Sequence, residues 1–415
     1  MKPSVFILLL LLSLPALSCE ETLRQRPSEY FTMGDPVERG SRYSNLWTDN
    51  TGKVFMSWLL RVEDNLYALQ YADFDSLNWG ETSTVRIGED FFVNWADFPS
   101  VVSLDGEPVA FHWLRQVEGG PHAYHIDIAF RDESGRWSNI VTPHLDGTPT
   151  EHGFVSMAPL SGESVVAVWL DGRQTEGRSE EGYDDPDHAM TIRSAEVHAD
   201  GRVERQRVID SMVCDCCPTG MVREGEELLL VYRGRTDGEV RDILIARYDI
   251  SSGEWSEPVS VYDDGWEIAG CPVNGPRIDS RGDLVAVAWF TAAGEEPQVR
   301  LALSRDGGES FESPVQINRG TPLGRVDVKI GPDGRIYVSW LERMDENFAS
   351  LELQQVDPLE GLQKQYRIAT ADMGRGSGTP RMTPARDGLI LTWTQTEPLR
   401  RTRNAWVPWE RFEND

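Results

Sequence analysis

Short apolar runs of small and β-branched residues, each closed by one aromatic, recur seven times along the chain. They are VFMSW (Trp58), VAFHW (Trp113), VVAVW (Trp169), LLLVY (Tyr232), VAVAW (Trp289), IYVSW (Trp340) and LILTW (Trp393). Successive anchors are separated by a near-constant stretch of chain, longest between Trp169 and Tyr232. A five-residue apolar run between turn residues reads as a buried strand, and its return at a near-fixed period reads as a repeat architecture. A glycine stands shortly before each run, at Gly52, Gly106, Gly162, Gly225, Gly282, Gly334 and Gly388, where a tight hairpin would feed the strand. After each anchor come a loop, an alternating strand such as YHIDIAF, DILIARY or VRLALS, a turn, and a further strand such as PVSVY or PVQIN. Each repeat is therefore predicted to be four short antiparallel strands.

A twisted four-stranded unit buries both faces only against neighbours in a ring, so the pattern predicts an all-β fold, a β-propeller spanning residues 25 to 410 as one domain. Seven blades are counted; six follow if the first or last half-repeat lies outside the ring. The seventh repeat ends after a third strand near 404–407, and Ser28 to Met33 are expected to supply its fourth. The seven aromatic anchors are expected to be core between blades rather than a ligand-stacking set.

The segment Ser304-Arg305-Asp306-Gly307-Gly308-Glu309-Ser310-Phe311 resembles the Asp-box hairpin of the sialidase-like BNR propellers. Weaker relatives occupy the same phase at Asp132 to Trp137 and Asp249 to Trp255. Such an aspartate accepts backbone N–H groups across a tight turn, so the motif marks fold rather than activity. For an enzyme, the resemblance implies an exo-α-sialidase type of glycoside hydrolase. Such a site has an arginine triad on the sugar carboxylate, an aspartate acid/base, and a tyrosine nucleophile activated by glutamate. The chain departs from that pattern: Arg42-Tyr43-Ser44 stands in the first repeat in place of an Arg-Ile-Pro motif. Tyr232 occupies a core anchor position, which argues against its being the nucleophile.

Charge narrows the partners. The 415 residues carry 40 basic and 68 acidic side chains, a net −28, which disfavours nucleic acid and anionic membrane as primary partners. Lysine occurs only at Lys2, Lys53, Lys329 and Lys364; the other cations are arginines, suited to planar two-pronged contacts with carboxylates. A small anionic or glycan ligand held by local arginines fits this balance. Lys2, the apolar run Val5 to Leu12 and the small-residue end Ala16-Leu17-Ser18-Cys19 read as a secretory signal over residues 1–19. Cleavage after Ser18 and lipid attachment at Cys19 are both open. The protein is thus expected to be exported, periplasmic or held at the outer membrane through an N-terminal lipid.

Two constellations carry candidate chemistry. Cys214 and Cys271 occupy equivalent positions ahead of their anchors Tyr232 and Trp289, and His152 stands one place nearer to Trp169. With Cys216 and Cys217 they are placed near one another on the axial face. Three readings stand: disulfides, with Cys214 to Cys271 as the expected bridge; a soft-metal site for copper or zinc formed by Cys214, Cys216, Cys217, Cys271 and His152; or free thiols. Ligand or metal binding at this cluster leads. A sialidase-type hydrolase and a disulfide-stabilised interaction scaffold are the alternatives. The second constellation is a set of axial charges, Arg42, Asp97, Arg233, Arg235, Arg325 and Asp327, in which converging arginines could clamp a carboxylate. The other histidines, His112, His122, His125, His144 and His198, show no metal-ligand spacing. The insertion Gln174 to Met190 is expected to be an acidic solvated loop on the same face.

Overall fold

The structure, a computed structural model, describes residues 36–75, 78–178 and 188–413. The signal segment, Cys19, Ser28 to Met33 and the acidic centre of the 174–190 insertion lie outside the described residues.

Seven antiparallel sheets follow one another around a ring. Their innermost strands are Ser41–Thr48, Ser100–Leu104, His152–Ser161, Gly220–Glu224, Arg277–Arg281, Pro322–Ile330 and Arg381–Ala385. Each pairs with an anchor-bearing second strand across a tight turn. Gly52 and Gly334 take φ of 83° and 81° in two of these turns, a conformation that side chains with a Cβ resist. Blades 1 to 6 hold four or five strands, whereas blade 7 has three among the described residues, ending with Arg401–Pro408. The expected fourth strand of that blade falls outside them.

The ring closes by side-chain and backbone contacts between the first and last blades. Ser44 Oγ meets Thr392 Oγ1 at 2.8 Å, the Tyr43 N–H donates to Thr394 Oγ1 at 3.1 Å, and the Thr402 N–H donates to Ser41 Oγ at 2.9 Å.

The anchors are core, as the pattern requires: six are at most 1 % exposed and Trp393 is 7 % exposed. Each indole removes on the order of 200 Å² from water, roughly 5 kcal/mol of gross burial. Polar edges are satisfied at several of them, for instance Trp169 Nε1 to Asp171 at 2.8 Å and Tyr232 Oη to Asp210 at 2.9 Å. On the outer hairpins, Asp306 accepts Ser304 Oγ at 2.6 Å and the Ser310 N–H at 3.0 Å. Asp132 makes the same kind of turn.

Candidate functional site

Three inner strands carry the same irregularity. Their ladders slip between Arg42 and Asn45, between Gly153 and Ser156, and between Gly324 and Asp327. At each slip one residue takes positive φ: Tyr43 at 54°, Phe154 at 54° and Arg325 at 56°. All three occupy the same position relative to their anchors, Trp58, Trp169 and Trp340. A bulge inserts one residue into the pleat and re-aims its neighbours, so these bulges shape the axial end of the ring. Trp95 lies across that end. It enters from the segment before blade 2, and Arg325 of blade 6 stacks on its ring at 4.5 Å. Arg325 also donates to Ser377 Oγ at 2.7 Å and to the Gly378 carbonyl at 3.0 Å, and burial lowers its pKa to about 10.

Beneath this mouth the inner strands enclose a cavity of about 130 Å³, lined among others by Asp97, Phe98, Phe154, Arg277, Asp327 and Arg381. Asp97 and Asp327 reach it as the sequence predicts. Asp327 is occupied by backbone, accepting the N–H groups of Val328 at 3.0 Å and Met382 at 2.8 Å. The two arginines find other surroundings. Arg277 donates to the Thr219 carbonyl, while Arg381 Nη1 is buried without a hydrogen-bond partner among the described residues. Arg381 is 8 % exposed, and its guanidinium lies over the Phe98 ring at 5.1 Å. Burial first, then the Arg277 charge, disfavours the Arg381 cation, and Asp327 only partly opposes this.

Sequence reasoning missed Arg277 and Arg381. A signal was present: both stand at one shared phase before their anchors Trp289 and Trp393, where other blades place Leu46, Val101, Met157 and Val328. A charge in a phase otherwise apolar was the clue.

On one side of the cavity a chain of acids runs outward. Asp97 Oδ2 accepts the Phe154 N–H at 2.7 Å and faces Tyr124 Oη at 3.4 Å; Tyr124 Oη donates to Glu151 Oε1 at 2.6 Å. Burial raises Asp97 well above the carboxylate range, against the pull of the Phe154 N–H and helped by the Glu151 charge. Burial likewise raises Glu151 to about 7, against the Tyr124 hydrogen bond. Tyr124 is 1 % exposed and stacks on Phe92 at 3.9 Å, so its phenol is enclosed.

The other arginines expected at the mouth are taken up by contacts within the fold, Arg233 by tying blade 4 to blade 5. Arg233 is 1 % exposed and donates to the carbonyls of Asn274, Arg241 and Phe290 at 2.6 to 3.0 Å. Arg235 forks onto Glu239 at 2.7 and 2.9 Å. Arg42 is half-buried at the rim, its Nε on the Gly40 carbonyl at 3.3 Å.

The cysteine expectation needs correction. The disulfide joins Cys216 to Cys271, with Cα atoms 6.0 Å apart, and not Cys214 to Cys271. Residues 214–217 form a turn between strands rather than a strand, so strand alternation does not govern which sulfur faces which. The turn brings Cys214 and Cys217 together instead, Sγ to Sγ 2.9 Å, both buried as free thiols. Burial raises the Cys214 pKa, but the Cys217 contact and the charges of Arg241 and Arg233 outweigh it and lower it overall.

His152 is not among the cysteines. It stacks on His144 at a ring separation of 3.8 Å, with His125 5.4 Å away, and its Nε2 faces Asp146 at 3.1 Å. His125 and His144, which showed no ligand spacing in the sequence, join it from the third strand of blade 2, Tyr124–Arg131, and from the connection into blade 3.

No protein-family model matches the sequence, and no curated protein matches it either. Solved structures do. A polysaccharide lyase of family PL25, an ulvan lyase, superposes with a TM-score of 0.53 at 11 % identity, covering 91 % of this chain and 93 % of that one. An ancestral GH74 enzyme gives a TM-score of 0.51 at 11 % identity over 89 % of this chain and 48 % of its own. A subtype N10 neuraminidase-like protein of A/little yellow-shouldered bat/Guatemala/060/2010 covers 92 % of this chain and 98 % of its own at 11 % identity, with a TM-score of 0.42. The structural neighbours thus include glycoside hydrolases and lyases, and at this identity the likeness establishes the fold, a seven-bladed β-propeller.

Proposed function

We propose that this protein is a carbohydrate-active propeller that takes the acidic group of a sugar into the axial cavity and hydrolyses the adjoining glycosidic bond. The observation that carries this reading is Arg381, a buried guanidinium whose Nη1 has no partner among the described residues. It stands beside Arg277 in a cavity where burial pushes the Asp97 carboxyl well above its usual range and Asp327 is bonded to backbone. A carboxylate or sulfate entering there would gain charge-assisted bonds that a buried, unpaired cation otherwise lacks. Asp97, its carboxyl held well above the usual carboxylate range by burial, would donate its proton to the leaving oxygen as bond cleavage builds charge there. Water from solvent would add to the anomeric carbon as that bond breaks, and the proton it loses would return to Asp97 by way of Glu151 and Tyr124. Trp95, half-buried at the mouth, offers an apolar surface to a pyranose beside the Arg325 that covers part of its ring.

The soft-metal reading at the cysteines has less support, because the Cys216–Cys271 disulfide leaves only Cys214 and Cys217 as thiolate donors. The test is release of reducing sugar from a panel of sialosides, uronate-containing and sulfated oligosaccharides. Turnover of an acidic glycan, lost in Asp97→Asn and Arg381→Met, is expected. Turnover confined to neutral glycans would refute the proposal.

A further inference from the structure

At the junction of blades 2 and 3, outside the cavity, three imidazoles and a carboxylate meet. His144 and His152 are 2 % and 0 % exposed, and one ring nitrogen from each of His125, His144 and His152 falls within 4.8 Å of the others. Asp146 Oδ2 lies 3.1 Å from His152 Nε2 and 3.6 Å from His144 Nδ1. A tetrahedral ion with bonds of about 2.0 Å separates its donors by roughly 3.3 Å, close to the first of these distances.

Hydrogen bonding assigns the ring nitrogens. His144 Nε2 accepts the Ile126 N–H at 3.0 Å and so carries no proton; the proton sits on Nδ1, turned to Asp146. His125 Nε2 faces the Thr148 carbonyl at 3.3 Å and donates to it, which leaves Nδ1 with its lone pair. His152 Nδ1 faces the Thr150 carbonyl at 3.1 Å and must donate to it. In the neutral ring, Nε2 of His152 then aims a lone pair at a carboxylate oxygen 3.1 Å away. Two lone pairs in a buried contact repel unless a positive centre lies between them: a cation, or a second proton on His152. Asp171 stands further off, 3.8 Å from His152 Nε2, and is forked by Arg173 Nε and Nη2, each at 2.7 Å. Its charge is therefore matched, and it stays outside the donor set. Arg173 also reaches Asp146 at 3.2 Å, and with His144 it orients that carboxylate.

We infer that His125, His152 and Asp146 bind a divalent cation of the zinc class, with His144 as a positioning residue that holds Asp146, tying the connection into blade 3 to the outer part of blade 2. Two nitrogens and one oxygen, with a fourth place for water beside half-buried His125, suit zinc, whereas calcium and magnesium demand oxygen shells. Set apart from the axial cavity, the ion would be structural. The site is separate from the cysteines, where the sequence pattern had placed His152.

The test is metal content and spectroscopy on the full chain, with zinc and cobalt(II) as the probes. Native mass spectrometry should give one zinc per chain, and cobalt(II) should give the visible bands of a tetrahedral nitrogen and oxygen shell without thiolate charge transfer in the near ultraviolet. His144→Ala should weaken zinc binding by about 10- to 100-fold, as loss of a partner behind a ligand does, and His152→Ala should weaken it further. Because these buried variants can misfold, His125→Gln, at a half-buried position, is paired with them and should weaken binding in a protein of unchanged circular dichroism. Cys214→Ser should leave the stoichiometry at one. Absence of stoichiometric zinc in the folded wild-type chain at micromolar metal would overturn the inference and leave a doubly protonated His152 on Asp146. Zinc lost in Cys214→Ser but retained in His125→Gln would also overturn it.

Discussion

Replacing Arg381 by methionine removes a buried charge while keeping most of the side chain's length. If the guanidinium were structural, the variant would be less stable. If it awaits an anion, the variant should be more stable in the absence of one, because the cation is 8 % exposed, lacks a partner at Nη1 and sits beside Arg277. Exchanging buried ionic groups for apolar ones of similar volume gains about 1 to 4 kcal/mol in comparable settings. The lost contact with the Phe98 ring takes back roughly 1 kcal/mol, for a net gain of about 2 kcal/mol. With an unfolding entropy of about 2.1 cal/mol/K per residue over roughly 380 folded residues, this raises the melting temperature by about 2 to 3 °C. Differential scanning calorimetry in a zwitterionic buffer is the assay, repeated with sulfate or a uronate. An anion at about 100 times its Kd should stabilise the wild type by about 2.7 kcal/mol, roughly 3 °C, and should leave Arg381→Met unmoved. A variant that melts below the wild type in anion-free buffer would refute the reasoning.

Other consequences can be measured independently. Glu151 titrates at about 7 in the fold against 4.5 for the free side chain, so the folded state binds the extra proton between those values. Stability therefore falls as pH rises through that window, by at most about 3 kcal/mol; Glu151→Gln should flatten the slope of urea midpoints from about pH 4.5 to 7.5, and an unchanged slope would count against the assignment. The Cys216–Cys271 disulfide closes a sequence separation of 55, so the double serine variant should lose about 4 kcal/mol, read from the same melts. Cys214 and Cys217, each 1 % exposed, should resist a thiol reagent in the native protein and both react in denaturant. Trp289→Ala should cost about 3 to 5 kcal/mol through the cavity it opens between blades, whereas a loss under about 1 kcal/mol would contradict the packing.

The ring was legible because its cause is local and repeated. Each apolar run buries one aromatic, from Trp58 to Trp393, and the seven recurrences count the blades without knowledge of contacts. Asp97 and Asp327 could be placed at the axis by counting back from anchors, since a strand's phase survives a short loop. The same counting failed for Cys214 and His152. Between residues 214 and 217 the chain turns, so phase is lost and the sulfur that meets Cys271 is decided by turn geometry. His125 and His144 come together from the third strand of blade 2 and from the connection that leaves its fourth, a separation that no single element's period would reveal. Arg277 and Arg381 were overlooked for a different reason: the pattern was read for what repeats, and they are the exceptions within it.

The three bulges at Tyr43, Phe154 and Arg325 couple the shape of the opening to the stability of the ring. Each slip lies directly opposite the buried anchor of its blade, Trp58, Trp169 or Trp340, and the ladder is paired on either side of it. Tyr43 and Phe154 are themselves buried, so a different side chain there would disturb the packing around the anchor as well as the outline presented to an incoming molecule. The fold thus ties the outline of one opening to the packing of three blades, and a substitution series at residues 43, 154 and 325 would shift stability together with what enters the ring.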